Sequence, residues 1–470
     1  MAAPLVTQLV TLVGQAYATR MGGNLVQSVP LGPEHPFWIP LQGALQSFSD
    51  SDLASASLAQ HVSFVPASDR DGLAALLSAA LNNVKQSSTQ HTPTPEAAYA
   101  CFKAMLGVHA ELHKLYASQG GDGGYKNAFL NGMVVAVCRH LVGLSAVAAS
   151  LSTLPIREQA SPRGIKDATR QAIEKSLQVS ACHMADGEWH AEVNKPESVG
   201  DIMWQLANIL WRLYAQRKLH TQATDLSKIF AGIQPPEGKR LAARGHCIPL
   251  TAVAESYYWR GRIGVVLLEM RMAHRWLEKA WDMCPEEAWQ QRRAILIRLI
   301  PVSLLLGKLP HSSVLQHYSL EAEFTPFIQA FKTGNVPQWR RLLSERQEWL
   351  RARSIWLIWF ERGEILVWRN LFRKALAIYY QTPGATKHRA PTWVFLAAAQ
   401  RAFAGSGELE DGTLALEDIV CTIASLIDQG LIMGILTYSQ RQMVLKPSLD
   451  GFGGFPRVSQ VVPRRVDAVA

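Results

Sequence analysis

Gly363-Glu-Ile-Leu-Val-Trp-Arg-Asn-Leu-Phe-Arg-Lys374 is an apolar helical run interleaved with arginine, and it leads toward a compact unit at 416–445. In that unit Leu416, Ile419, Val420, Ile423, Leu426 and Ile427 fall on one helix face, and Gly430 ends the helix. The stretches 431–437 and 442–445 then read as short strands around Tyr438-Ser439-Gln440-Arg441. Helices followed by such a hairpin predict a winged helix. Carried on a helical stack, a winged helix serves assembly and nucleic-acid binding more often than catalysis.

Upstream the helical signals continue. Phe327, Ile328 and Phe331 lead into Lys332-Thr-Gly-Asn335, where Gly334 suits a left-handed helix end and Pro337 suits the start of the next helix. The helices that follow carry Trp339, Leu342, Leu343, Trp349, Leu350, Ile355, Trp359, Ile365, Leu366, Trp368, Leu371 and Phe372, read as packing residues rather than base-stacking platforms. The run Ala294-Ile-Leu-Ile-Arg-Leu-Ile-Pro-Val-Ser-Leu-Leu-Leu-Gly307 is too apolar for a surface helix. Tyr257, Gly261, Ala273, Leu277, Ala280 and Pro285 follow tetratricopeptide spacing, with a partial second copy at Leu210, Tyr214 and Ala223. These observations predict an irregular helical solenoid. The stretch 201–230 reads as a helix with one buried face, and 87–95, 118–124 and 152–166 read as loops between helices.

The chain has 470 residues, 48% hydrophobic and 18% charged, enough for two or three domains with real cores. Its formal charge of +9 favours a polyanionic partner. That charge is concentrated: between Lys332 and Lys374 ten basic residues stand against four glutamates. Six widely spaced cysteines without a Cys-x-x-Cys pair predict reduced, buried thiols in an intracellular protein. Cys182, His183 and His190 lack paired zinc spacing, so no metal and no cofactor is expected. The stretch 1–22 reads as a first helix rather than a signal peptide, and no membrane insertion is expected.

Catalytic signatures are missing as well. The sequence has no nucleophile elbow, no His-Glu-x-x-His, no Walker loop and no dinucleotide fingerprint. In His109-Ala-Glu-Leu-His113 the glutamate sits one position from where a metalloprotease base belongs. The expected protein is not an enzyme.

Three landmarks, Phe331-Lys-Thr-Gly-Asn335, Val367-Trp-Arg-Asn-Leu-Phe-Arg-Lys374 and Gln429-Gly-Leu-Ile-Met-Gly-Ile435, resemble successive parts of the PCI domain. Arg369-Asn-Leu-Phe372, Arg292-Arg-Ala-Ile-Leu-Ile-Arg-Leu-Ile-Pro301, Leu305-Leu-Gly307 and Gly453-Gly-Phe-Pro456 resemble one narrower branch of it. That branch holds the PCI subunit of the TREX-two transcription and export complex and the signalosome-associated twelfth subunit. The resemblance covers roughly 201–456. It implies a mainly α fold: an irregular TPR-like helical solenoid followed by a C-terminal winged helix, together a PCI domain. The expected divisions are an N-terminal helical region at 1–195, TPR-like repeats at 196–320, the PCI helical part at 321–404, the winged helix at 405–458 and a tail at 459–470.

The resemblance further implies a non-enzymatic scaffold in the nucleus, with a cytoplasmic pool, that pairs with a second PCI-domain scaffold protein and a small acidic subunit. It also implies binding of RNA and double-stranded DNA, and association with the nuclear pore. A signalosome-associated scaffold acting only through protein contacts is the alternative. Where the family places lysines beside the wing glycines, this chain has Gln429 and Met433. Arg369, Arg373, Lys374, Lys387, Arg389, Arg441 and Lys446 are expected to contact phosphates without reading sequence. The wing edge at Leu431, Met433, Ile435, Tyr438 and Met443 is expected to meet the partner chain.

Overall fold

Long apolar periodicities make helices of most of the described residues. The computed structural model describes residues 2–87, 94–118, 126–155, 158–182, 198–230, 250–386, 388–404, 406, 414–447 and 453–461. Two compact units result, Met1–Ser256 and Tyr257–Ala470.

The first unit holds α1 (Ala2–Ala18), α2 (Gly22–Ser28), α3 (Trp38–Leu45), α4 (Ser55–His61), α5 (Ala67–Gln86), α6 (Pro95–Ala117), α7 (Asn131–Leu151), α8 (Pro162–Cys182), α9 (Met203–Arg217), α10 (His220–Ile229) and the start of α11 (Leu250–Val266). Consecutive helices α5 to α9 pack side by side. The stretch Ala128–Leu151 is long and apolar enough to cross a membrane by length and composition. Here Met133, Val134, Val137, Cys138 and Leu141 are buried, and α7 packs against α2, α6 and α8. Residue 195 marks no division, because α9 packs on α8 and Tyr116 Oη donates to Val199 O at 3.0 Å. The expected loop at 152–166 is shorter, since α8 begins at Pro162, where a proline suits a helix start.

The second unit continues from α11 with α12 (Met270–Met283), α13 (Trp289–Leu305), α14 (Ser312–His317), α15 (Glu321–Thr333), α16 (Val336–Glu345), α17 (Gln347–Ala352) and α18 (Trp356–Tyr379). The tetratricopeptide spacing has its reason in contact distance: a Cβ on Gly261 would lie 2.6 Å from Leu277 Cγ, so α11 and α12 approach where only glycine fits. Phe324, Phe327, Trp339 and Trp359 form a ring cluster, with Phe327 and Trp359 centroids 4.4 Å apart, so these tryptophans are core. Gly363, which opens the quoted run, lets α18 lie directly on the Trp339 indole.

The chain then forms β1 (Arg389–Pro391), α19 (Thr392–Phe403), α20 (Leu416–Asp428), β2 (Gly434–Thr437) and β3 (Gln442–Leu445). The three strands are antiparallel in the order β1-β3-β2. Helices α19 and α20 therefore stand between two strands of one sheet, and the winged helix begins at β1 rather than at 405. The expected strand at 431–433 is also shorter: the N–H groups of Leu431 and Ile432 both return to Leu426 O, closing α20 before β2 starts.

One device ends helix after helix. A residue in the left-handed region is followed by an N–H that returns to the carbonyl five residues back, the bond of a Schellman end. It occurs at Arg20, Lys218, Leu268, Gly307, Ser319, Gly334, Ser354 and Gly430, with φ between 51 and 76° throughout. The bonds run from Met21 to Ala16, Leu219 to Tyr214, Glu269 to Gly264, Lys308 to Ser303, Leu320 to Leu315, Asn335 to Ala330, Ile355 to Leu350 and Leu431 to Leu426, at 2.8 to 3.2 Å. The expected single helix at 201–230 is thus a hairpin, α9 and α10, hinged at Lys218. Gly334 has a second reason to be glycine, because a Cβ there would sit 2.6 Å from the Leu371 backbone.

Gly334→Ala is expected to lower unfolding stability by about 2–3 kcal/mol, from left-handed strain plus overpacking. Lys218→Gly should instead raise it by up to about 1 kcal/mol, since it removes the side-chain penalty at that φ. Urea denaturation followed by circular dichroism measures both.

Candidate nucleic-acid and partner interface

Strand alternation sorts the sheet residues. Across the three strands Arg389 pairs with Val444 and Val444 with Ile435, and all three are exposed, Ile435 at 70% and Val444 at 36%. The next row, Ala390, Met443 and Leu436, turns toward the helices, with Ala390 and Met443 fully buried. Period-two alternation makes this assignment all or nothing. Leu445 N donates to His388 O at 2.7 Å and Lys446 N donates to Met433 O at 2.9 Å, which carries exposed Lys446 onto the outward face beside Met433.

The hairpin turn is held from below. Thr392 is buried at the start of α19, and its N–H and Oγ1 both donate to Arg441 O, at 2.9 and 3.0 Å. Arg441 itself is exposed with φ 48°, and Tyr438, at the other end of the turn, is 66% exposed. The outward face is therefore an apolar strip of Ile435, Val444 and Met433 with Arg389, Lys446 and Arg441 around it.

Arg369 does not belong to that surface. It is 4% exposed; its Nε donates to Leu431 O at 3.1 Å and one of its Nη atoms donates to Pro456 O. The guanidinium also lies 5.5 Å over the ring of buried Phe455. Burial, helped by the nearby charge of Arg373, pushes its pKa down to about 10. With those donors taken by backbone carbonyls, this arginine staples the chain and has none of them left for a phosphate. Two expected edge residues are likewise interior: Leu431 follows the end of α20 at 6% exposure, and Met443 sits on the central strand. Arg373 and Lys374 are exposed on α18, on a different element from the sheet. Lys387 lies outside the described residues. Val444, and exposed Trp393 at the start of α19, were missed. The period-two pattern of 442–445 pointed to Val444 once the central strand was known.

The histidines of the near-metalloprotease run are also accounted for. His109 is buried in the first unit with Nε2 2.9 Å from Ser176 Oγ, and its ring stacks on His113. Burial, then the charges of His113 and Lys175, pushes the His109 pKa down to about 4. Among the described residues no three His, Cys, Asp or Glu side chains gather as a metal site. His183, His190 and His246 lie outside the described residues. Cys101, Cys138, Cys182, Cys284 and Cys421 are free thiols, but Cys182 and Cys421 are exposed rather than buried.

No family model matches the chain. Individual relatives do. A PCI domain-containing protein of Schizosaccharomyces pombe is 32% identical over 208 residues, 44% of this chain and 45% of its own. The PCI domain-containing protein 2 homologue of Drosophila melanogaster is 30% identical over 211 residues, 45% of this chain and 49% of its own. A CSN12 homologue of Gibberella zeae is 30% identical over 189 residues, 38% of this chain and 39% of its own. The chain is thus similar, over part of its length, to proteins named for the PCI domain. The matched region spans less than half the length of each of these three relatives.

The PCI landmarks acquire physical roles here. Asn370 Nδ2 donates to Phe331 O at 2.9 Å, satisfying a carbonyl near the end of α15. Leu371 offers the backbone against which Gly334 must be glycine, and Phe372 packs edge-on to Phe395 of α19 at 5.3 Å. With Arg369 gripping Pro456, the four consecutive residues Arg369 to Phe372 tie α18 to α15, α19 and the C-terminal segment at once. Those are packing roles, so the landmark locates the winged helix without itself forming the binding surface.

Arg369→Gln is expected to lower stability by about 3 kcal/mol, because buried carbonyls lose charge-assisted bonds. Chemical denaturation should show that loss. His109 yields a pH prediction: the unfolded chain takes up a proton near 6.5 while the folded chain resists it until about 4. Stability should therefore fall as pH drops through that window, and His109→Gln should flatten the fall in a pH series of denaturation curves.

Proposed function

We propose that this protein is a non-enzymatic PCI-domain scaffold subunit of a TREX-two-like nuclear complex for transcription-coupled mRNA export. In this reading it pairs with a second PCI-domain protein through the edge of its winged helix, accepts a small acidic subunit, and contacts RNA or double-stranded DNA through the basic residues of that same domain. The exposed row of Arg389, Val444 and Ile435 carries the proposal. Among the described residues β2 pairs with β3 alone, so its other edge offers unpaired backbone groups beside an exposed isoleucine. Arg389, on β1 at the opposite edge of the sheet, Lys446 and Arg441 supply phosphate-seeking charge around the same outward face, and Arg373 and Lys374 supply more on α18. Such contacts position nucleic acid without selecting its sequence.

The relative named as a CSN12 homologue favours a second reading, a signalosome-associated PCI subunit working through protein contacts only. Both readings use the edge of β2. They part on nucleic acid.

Arg389→Glu combined with Lys446→Glu should weaken binding to single-stranded RNA and reduce the salt slope by about 1.4, two contacts at about 0.7 each. Fluorescence anisotropy across a salt series reads this, and unchanged binding would leave the protein-only scaffold. Ile435→Asp should abolish co-elution with the PCI partner on size exclusion while leaving the far-ultraviolet circular dichroism unchanged.

A further inference from the structure

Away from the wing, Arg260 on α11 is a buried cation without a carboxylate. It is 3% exposed, its Nε has no hydrogen-bond partner, and its guanidinium carbon lies 3.6 Å from the centre of the Trp276 ring on α12. Tyr257 stacks on the same indole at 5.4 Å. Arg275 and Lys279, one helical turn apart on α12, bring further cations to within 5.9 and 5.4 Å of that ring. Among the described residues Arg260, Arg275 and Lys279 form no ion pair.

The other side of α11 repeats the imbalance. Arg298 of α13 is buried with an unpartnered Nε, lies 5.2 Å over Tyr258, and is faced by the charges of Arg262 and Arg353. Cation–π contact offsets part of the cost of burying such a charge. It leaves the Nε–H of each guanidinium unused, and unused buried donors are uncommon in folded proteins. A guanidinium held flat on an indole has its donor fork fixed in direction, the arrangement that suits bidentate contact with a phosphate. Arg260 and Tyr257 already cover the indole, so a nucleobase has little ring left to stack on.

We infer that the α11–α12 hairpin carries an anion site, formed by Arg260 with Arg275 and Lys279, that takes backbone phosphates of nucleic acid. Its ligand class rests on the nucleic-acid reading proposed above, but its residues are distinct from those of the wing.

The test uses the full chain and a fluorescein-labelled oligouridine in anisotropy titrations across a salt series. Three proteins are compared: Arg275→Glu with Lys279→Glu, the wing pair Arg389→Glu with Lys446→Glu, and Arg260→Lys. Circular dichroism confirms that each is folded. The hairpin pair should weaken binding roughly tenfold near 0.15 M salt and lower the slope by about 1.4. Arg260→Lys keeps the charge and loses the fork, so it should weaken binding by a smaller factor. Loss in the hairpin pair with none in the wing pair supports the hairpin site and removes the wing surface. Loss only in the wing pair overturns the hairpin site and keeps the wing. If the hairpin pair abolishes binding of a labelled polyglutamate peptide but leaves oligouridine binding intact, the site belongs to an acidic protein and the inference is overturned. A chain that binds no oligouridine at all overturns both.

Discussion

A single buried guanidinium gathers the end of this chain. Arg369 binds the carbonyls of Leu431 and Pro456, which are 62 and 87 residues further along, and so ties α18 to the approach of β2 and to the C-terminal segment. A charge brought out of water is costly unless its donors are filled, and here two backbone oxygens and the Phe455 ring do the filling. The same contacts satisfy carbonyls that would otherwise be stranded. Removing the arginine therefore leaves more than a cavity, and the position of the sheet against α18 depends on it.

That dependence explains why the domain was easier to recognise than its surface. Apolar periodicity located most of the helices and the hairpin, because those signals come from burial on one face, but not the corner at Lys218 or the start of β2. The identical chemistry of Arg369 and Arg373 hid opposite fates. They lie on one helix four residues apart, and only the segment that packs over Arg369 distinguishes them. The same limit applied to β1. It has three residues and ends in Pro391, and its existence is decided by β3, its partner across the sheet. Once β1 is paired, β3 becomes central and Met443 turns inward, which no reading of the hairpin alone would show.

The sheet's outward face combines two kinds of contact in a small area. The apolar strip of Ile435, Val444 and Met433 suits exclusion of water, while Arg389 and Lys446 at its margin remain solvated and act at longer range. A partner seated on the strip would lower the local dielectric around those two cations. Their pull on a nearby phosphate would then be stronger in the assembled state than in the free chain, which gives the proposed pairing and the proposed nucleic-acid contact a common physical link.

The left-handed helix ends allow the stack to vary in sequence while keeping its path. Each closing bond runs from backbone to backbone, and five of the eight sites carry an arginine, lysine, leucine or serine instead of glycine. Side-chain identity at such a corner costs about 1–2 kcal/mol at most, so many letters are tolerated and the corner keeps its shape. A fold built on corners of this kind can lose the textual signature of its repeats while its helices continue to turn back on one another, much as a folded strip keeps its creases whatever is printed on it.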